Sequence, residues 1–211
     1  MKILVTPTSL QPGTKMQAME RLKQFSDDLV FNEKRKPLTE EELIPLLKDC
    51  DGYLAGLDLV TEKVLRECRQ LKVISRYGTG YDRIDMEAAK KYGITVTNTP
   101  GVNAEAVGEL TFGLLLSVAR KIPYLDFTTR DGQWVRSTGV ELKGKTMGII
   151  GLGAIGKIVA RCAKGFDMKV MAYDPYLNQS YCQEQKIVPA DLNKIFEQSD
   201  VITLHLPLNK E

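Results

Sequence analysis

The stretch TMGIIGLGAIGKIVARCAKGFDMKVMAYD, residues 146–174, decides how the rest of the chain is read. A lone G-x-G-x-x-G arises by chance in glycine-containing turns, so the flanks of Gly151-Leu152-Gly153-Ala154-Ile155-Gly156 carry the weight. Thr146 to Ile150 is a short apolar run with the look of a buried strand. Ile155, Val159, Cys162 and Phe166 then recur at helical spacing, with Gly165 as a stop signal. The next strand pattern, MKVMAYD, ends on Asp174, an acid 18 positions beyond Gly156. Strand, glycine turn, helix, strand and acid in this order form a dinucleotide-binding unit. Gly151 permits the tight turn, Gly153 lets the backbone approach a pyrophosphate, and Gly156 lets the helix pack on the strand. The N–H groups of Ala154 and Ile155 face the phosphates at the positive end of the helix. Asp174 is placed to accept from ribose hydroxyls and to repel a 2′-phosphate, which favours NAD over NADP. A glycine-rich strand–helix turn with no ligand is the competing reading.

Composition sets the class. The 211 residues are 43% hydrophobic and 27% charged, with a net charge of +2 and basic and acidic residues interspersed. This describes a globular chain and excludes a nucleic-acid or membrane-surface footprint. Cys50, Cys68, Cys162 and Cys182 form no C-x-x-C pair and the single histidine leaves no zinc-type ligand set, so no metal is expected. The N-terminus MKILVTPTSL lacks a secretory apolar segment and no later stretch has the length of a membrane span, so a cytoplasmic protein with reduced thiols is expected.

Short runs rich in β-branched residues alternate with helical patterns along the chain, predicting an α/β fold with doubly wound parallel sheets. Before residue 100 the strands are Ile3 to Val5, DGYLAG ending at Gly56, LKVISR and ITVTN. Met16, Met19, Leu22 and Phe25 mark one helix, and Thr39 with Glu42 forms a capping-box signature for a second. Thr61 and Asp85 cap two more, and Gly93 ends the last of them. Thr99-Pro100-Gly101 breaks the pattern and places a domain boundary, giving domains 1–99 and 100–211. Asn103 caps a helix to about Arg120, in which Gly108 and Gly113 read either as close packing against another backbone, such as a second subunit, or as a tolerated loss in a well-packed helix. Lys121 to Lys145 reads as a loop holding Trp134, a packing or interface anchor. DLNKIFEQS is a short helix, and DVITLHLP is the final strand.

Gly78-Thr79-Gly80 closes a strand of the first domain. Small, exposed backbone N–H groups there suit an anion such as a carboxylate, although a simple turn remains open on these residues alone. The ordered series RYGTGYDRIDMEAAKKYGITVTNTPG, AEAVGELTFGLLLSVARKIP, GVELKGKTMGIIGLGAIGKIVA, YDP and DVITLHLPL resembles the D-isomer-specific 2-hydroxyacid dehydrogenases, and among them the phosphoglycerate dehydrogenases. The resemblance covers nearly all of the chain beyond the first fifty residues. It implies a flavodoxin-like substrate domain, an NAD-binding Rossmann domain, an active site in the cleft between them, and a homodimer joined through the NAD-binding domain. It implies that Gly78 and Thr79 bind the carboxylate of a 2-hydroxy or 2-oxo acid, with Thr79 near the nicotinamide. The cofactor contacts would include Ala154, Ile155, Asp174, His205, Leu206 and Pro207.

The chain departs from that family in three places. Phosphoglycerate dehydrogenases tend to carry Arg-Ser where this chain has Ala55-Gly56-Leu57-Asp58, so Asp58 would oppose a phosphate and an unphosphorylated acid is expected. Many relatives have arginine in place of Ala154, so one cationic cofactor contact is missing. The family's arginine, glutamate and histidine for hydride and proton transfer fall in motifs expected beyond Glu211, so no catalytic residue is assigned within the 211 positions and the Rossmann domain reads as incomplete. His205 is read as lining the nucleotide site, and the final strand as an open sheet edge prone to association. The alternative function is a catalytically inert NAD-binding regulatory or interaction protein, as in corepressors related to this family.

Overall fold

A computed structural model describes residues 1–14 and 16–207, and Leu208, which ends the last motif above, lies outside them. The chain divides into two compact units, Met1–Val102 and Asn103–Glu211.

In the first unit the elements run β1 (Lys2–Val5), α1 (Gln17–Phe25), β2 (Asp28–Phe31), α2 (Glu40–Leu47), β3 (Gly52–Ala55), α3 (Glu62–Glu67), β4 (Val73–Arg76), α4 (Met86–Lys91) and β5 (Thr95–Thr97). All pairings are parallel, in the order β2-β1-β3-β4-β5, which is the flavodoxin-like arrangement with its topological switch between β1 and β3. Alternation along β1 sets the layers. Ile3 and Val5 pack with Leu10 and Met19, on the α1 side, while Leu4 joins Tyr53, Ile74 and the apolar residues of α2, α3 and α4 on the other. The expected caps form: Asp85 accepts from the Ala88 N–H at 2.9 Å, and Glu42 accepts from the Thr39 N–H at 3.0 Å. Gly93 takes a φ of +70° just past α4, the left-handed position that ends a helix.

The strand β2 has no counterpart in the expected series, because DLVF is a short, partly covered edge strand with an acidic start. On α1 only Met19 of the expected stripe is fully buried, and Phe25 is 70% exposed at the helix end.

The second unit runs α5 (Ala104–Ala119), α6 (Ile122–Arg130), β6 (Thr146–Ile150), α7 (Ala154–Gly165), β7 (Lys169–Tyr173), α8 (Gln179–Glu184), β8 (Val188–Pro189), α9 (Leu192–Gln198) and β9 (Val201–Leu204). Its sheet is parallel in the order β8-β7-β6-β9, so the chain winds outward from β6 and then returns to the far side of it. Met147, Ile149, Val159, Ala160, Ala163 and Val170 form the centre of its core. The segment expected to be a loop contains α6, with Pro123 in the first turn and Thr128 buried against the preceding carbonyls. Proline fits that position because its missing N–H is one the helix start leaves unpaired anyway. Trp134 lies beyond α6 with 89% of its surface exposed, so it anchors nothing within its own unit.

Two glycine expectations on α5 separate. A Cβ on Gly108 would stand 2.4 Å from the Ile158 side chain of α7, so this glycine serves a close helix crossing, whereas Gly113 faces open space. At the end of α7 the left-handed residue is Asp167 (φ 54°), not Gly165, which is the last helical residue.

Candidate functional site

In a parallel sheet the place for a ligand is outside the carboxyl ends of the strands where their order reverses, here between β6 and β9. The glycine turn leaves β6 at this point. Gly151 has a φ of +97°, and a Cβ there would meet the His205 carbonyl oxygen at 2.4 Å, so the end of β9 crosses directly over it. A Cβ on Gly156 would stand 2.1 Å from the Gly151 carbonyl oxygen, so the first turn of α7 sits against the loop that precedes it. Both glycines are therefore required by the protein's own packing.

Gly153 is different. Its φ of −76° suits any residue, and a Cβ built on it meets nothing within 4 Å. No contact within the described chain explains a glycine at this position. The open space lies at the N-terminus of α7, where the N–H groups of Ala154 and Ile155 have no intrahelical acceptor. The residues present thus fit a pyrophosphate, and the fit comes from a cradle that a side chain would partly fill.

Asp174 follows β7 and braces the turn. Its Oδ2 accepts from the Leu152 N–H at 2.8 Å and its Oδ1 from the Tyr176 N–H at 2.8 Å. Two main-chain donors fix the carboxylate plane, and each oxygen keeps lone-pair capacity for a further donor such as a sugar hydroxyl. The brace on Leu152 was not foreseen from sequence, because a contact across 22 positions has no local signature.

His205 extends the ladder by one bond, its N–H donating to the Ile150 carbonyl at 2.8 Å. Its Nε2 is 2.9 Å from Thr203 Oγ1, and burial pulls its pKa below the usual imidazole value, so the ring is neutral at neutral pH. The histidine meets the glycine turn through its main chain, with Leu206 packed alongside and Pro207 exposed beyond.

In the first unit, Gly78 has a φ of +145° and its N–H donates to the Arg76 carbonyl at 2.8 Å. Gly78 therefore contributes the shape of the turn, not a free donor. The turn is tied down by the Asn98 amide on the Thr79 carbonyl at 2.8 Å and by the Thr99 N–H on the Gly78 carbonyl at 3.1 Å. The Gly80 N–H has no partner among the described residues.

Beside this turn, at the carboxyl ends of β1, β3 and β4, a cleft of about 350 Å³ is lined by Pro7, Ser9, Pro37, Leu57, Arg76 and Tyr77. Asp58, expected to oppose a phosphate here, is 2% exposed and does not face the cleft. Its carboxylate accepts from Tyr53 Oη at 2.7 Å, from the Leu38 N–H at 2.7 Å and from the Thr6 hydroxyl. These donors outweigh solvent for a buried carboxylate, so the acid turns inward. Burial, followed by the Asp58 charge, drives the Tyr53 phenol well above its usual value. The cation of the cleft is Arg76, which sequence reading passed over as an ordinary strand-end residue.

Among the described residues no cluster of metal-ligating side chains forms and no helix is long and apolar enough to cross a membrane.

Residues 112–211 match the model of the D-isomer specific 2-hydroxyacid dehydrogenase NAD binding domain. The chain is 39% identical to a glyoxylate reductase of Thermofilum pendens, covering all of this chain and 63% of that protein. It is 42% identical to a D-3-phosphoglycerate dehydrogenase of Methanocaldococcus jannaschii over 81% of this chain and 33% of the relative. Among solved structures, a D-lactate dehydrogenase from Aquifex aeolicus complexed with NAD and lactic acid superposes with a TM-score of 0.80 at 30% identity, covering 99% of this chain and 62% of that one. The chain thus spans between a third and two thirds of the length of these relatives. With the glycine turn, its acid and the strand order agreeing with these matches, the chain belongs to the D-isomer specific 2-hydroxyacid dehydrogenase family, and its second unit is an NAD-binding domain.

Proposed function

We propose that the chain carries the substrate unit and the NAD-binding unit of an oxidoreductase that acts on the CH–OH group of a D-2-hydroxy acid, or on the carbonyl of the matching 2-oxo acid. The observation that carries this reading is the 151–156 turn, in which Gly151 and Gly156 answer to internal packing while Gly153 leaves open space at the N-terminus of α7. NAD, when bound, supplies the carbon that takes the substrate's hydride.

The chain's own residues then divide the work. Ala154 and Ile155 offer N–H groups to the pyrophosphate, and Asp174, held by Leu152 and Tyr176, accepts from the adenosine ribose and excludes a 2′-phosphate. His205, Leu206 and Pro207 border the nucleotide, and His205 acts through its main chain, since its ring is held by Thr203. The substrate carboxylate binds at the turn of Gly78, Thr79 and Gly80, where the Gly80 N–H, unpaired among the described residues, serves in place of that of Gly78. With Asp58 turned inward and Arg76 in the cleft, the remainder of the substrate meets a cation and apolar side chains, so a phosphorylated acid is not disfavoured.

A homodimer through the second unit is supported by the exposed Leu110, Leu114 and Val118 along α5. A reducing compartment, the cytoplasm, is supported by the four free cysteines, three of them buried, with burial raising the Cys68 thiol to about 11.

The test is calorimetric titration of NAD and NADP, followed by NADH formation with D- and L-2-hydroxy acids by the whole protein. NAD binding above NADP with turnover of D-acids is expected. NAD binding without turnover of any 2-hydroxy acid would favour the regulatory protein, and absence of binding would refute both.

A further inference from the structure

Arg76, the last residue of β4, is half-buried, yet no acidic side chain among the described residues lies within ion-pair distance of it. Its guanidinium donates only to main-chain carbonyls, that of Ala55 at 3.5 Å and that of Tyr77. The acid that neighbours the cleft, Asp58, is engaged by Tyr53, Leu38 and Thr6 instead. Among the described residues Arg76 thus makes no ion pair at the carboxyl end of the sheet, and the nearby Asp58 acts on it only from a distance.

The same guanidinium lies against the turn that follows it. A Cβ on Gly78 would stand 2.9 Å from Nη1 and 3.1 Å from both Cζ and Nη2. The turn folds back over the side chain, closed by the Gly78 N–H on the Arg76 carbonyl at 2.8 Å. Glycine at 78 answers to its φ of +145°, and the guanidinium lies directly against it.

We propose that Arg76 is a positioning residue for carboxylate recognition. It shapes the Gly78–Gly80 turn from below through Tyr77 and Gly78, and it sets a positive charge behind the turn that receives the anion. A fixed cation a few ångströms behind a cluster of N–H dipoles strengthens an anion site without having to release the anion's water itself. The inference rests on the reading of this turn as the carboxylate site.

Its test separates charge from shape. Glycolate and its uncharged analogue glycolamide are titrated into the protein and followed through the amide resonances of Gly78 to Gly80, for the native chain, Arg76→Lys and Arg76→Gln. The native chain prefers glycolate, Arg76→Gln cuts that preference about 10-fold, and Arg76→Lys falls between, because it keeps the charge and loses the planar fork. A structural role alone would weaken both ligands equally and leave the preference intact, which would overturn the proposal while the carboxylate turn stood. If glycolate leaves these amides unmoved in the native chain, the turn reading and the role of Arg76 fall together. The Arg76 Nε–H resonance of the native chain gives a readout that needs no variant. It shifts with glycolate and not with glycolamide if the proposal holds, and with neither if it does not.

Discussion

Gly153→Ala is the substitution that separates what the fold needs from what a ligand needs. In the absence of ligand the new methyl enters open space at a φ of −76°, so no clash arises. Two small terms remain. Loss of unfolded-state freedom stabilises by about 0.4–1 kcal/mol, and alanine is poorer than glycine at a helix N-cap by somewhat under ~1 kcal/mol. They nearly cancel, so thermal and urea unfolding of the second unit should move by less than about 1 kcal/mol. With NAD the methyl occupies the seat of the pyrophosphate, and an overpacking penalty of about 1–3 kcal/mol weakens binding by roughly 5- to 150-fold. Gly156→Ala is the control with the opposite signature. Its Cβ would lie 2.1 Å from the Gly151 carbonyl oxygen, a main-chain atom that cannot step aside, so the unit loses about 3 kcal/mol or more before any ligand is added. Calorimetric titration with NAD, beside urea unfolding of each variant, reads both quantities. Undiminished NAD affinity in a folded Gly153→Ala protein would refute the argument that the open space is the pyrophosphate seat. A loss of stability as large as that of Gly156→Ala would refute the claim that the fold does not need this glycine.

Asp174→Ala removes both main-chain braces and the charge that faces a 2′-phosphate, so NAD should bind about 10-fold more weakly and its advantage over NADP should disappear in competitive titration. An unchanged NAD-to-NADP ratio would show that selection lies elsewhere. Asp58→Ala leaves the buried Tyr53 and Thr6 hydroxyls and the Leu38 N–H without their acceptor, and the first unit should lose about 3 kcal/mol or more in urea unfolding, with its own transition separating from that of the second unit. A loss under about 1 kcal/mol would mean that these donors find other partners. For His205, burial holds the folded pKa below the unfolded value, so the unfolded chain takes up a proton first as pH falls. Its contribution is therefore fully present above about pH 6.5 and is lost as pH falls below that value through the lowered folded pKa. His205→Gln should flatten unfolding midpoints across that window, and an unaltered slope would assign the pH dependence to other groups.

Much of the fold could be read from residues 1–174 because the signals were local. A strand, a glycine turn and a helix carry their periodicities within a few residues, and caps such as Asp85 and Thr39 act on N–H groups three positions away. The weak elements escaped for the same reason. DLVF and Val188–Pro189 are too short to show alternation, and α6 lay in a segment whose polar residues and glycines at 132 and 139 masked a nine-residue helix. What sequence could not supply was the direction of side chains. Asp58 reads as an exposed acid in a loop, and only the tertiary position of Thr6, Tyr53 and Leu38 shows that it is an internal acceptor.

That reversal changes the substrate argument more than any other difference. An aspartate pointing into the cleft would repel a second anion, whereas an aspartate turned inward leaves Arg76 without an ion pair among the described residues at the carboxyl ends of β1, β3 and β4. One carboxylate, by hydrogen-bonding to the fold instead of to the cation beside it, thus leaves Arg76 as the one charged side chain among the described residues that line the cleft. The loop Gly56-Leu57-Asp58 supplies no cation of its own, and β4 supplies one from the neighbouring strand. Whole-protein assays with paired acids that differ only by a distal phosphate or carboxylate would show this as a lower KM for the dianion, lost in Arg76→Gln. Equal KM values for mono- and dianionic acids would place the distal group of the substrate outside this cleft.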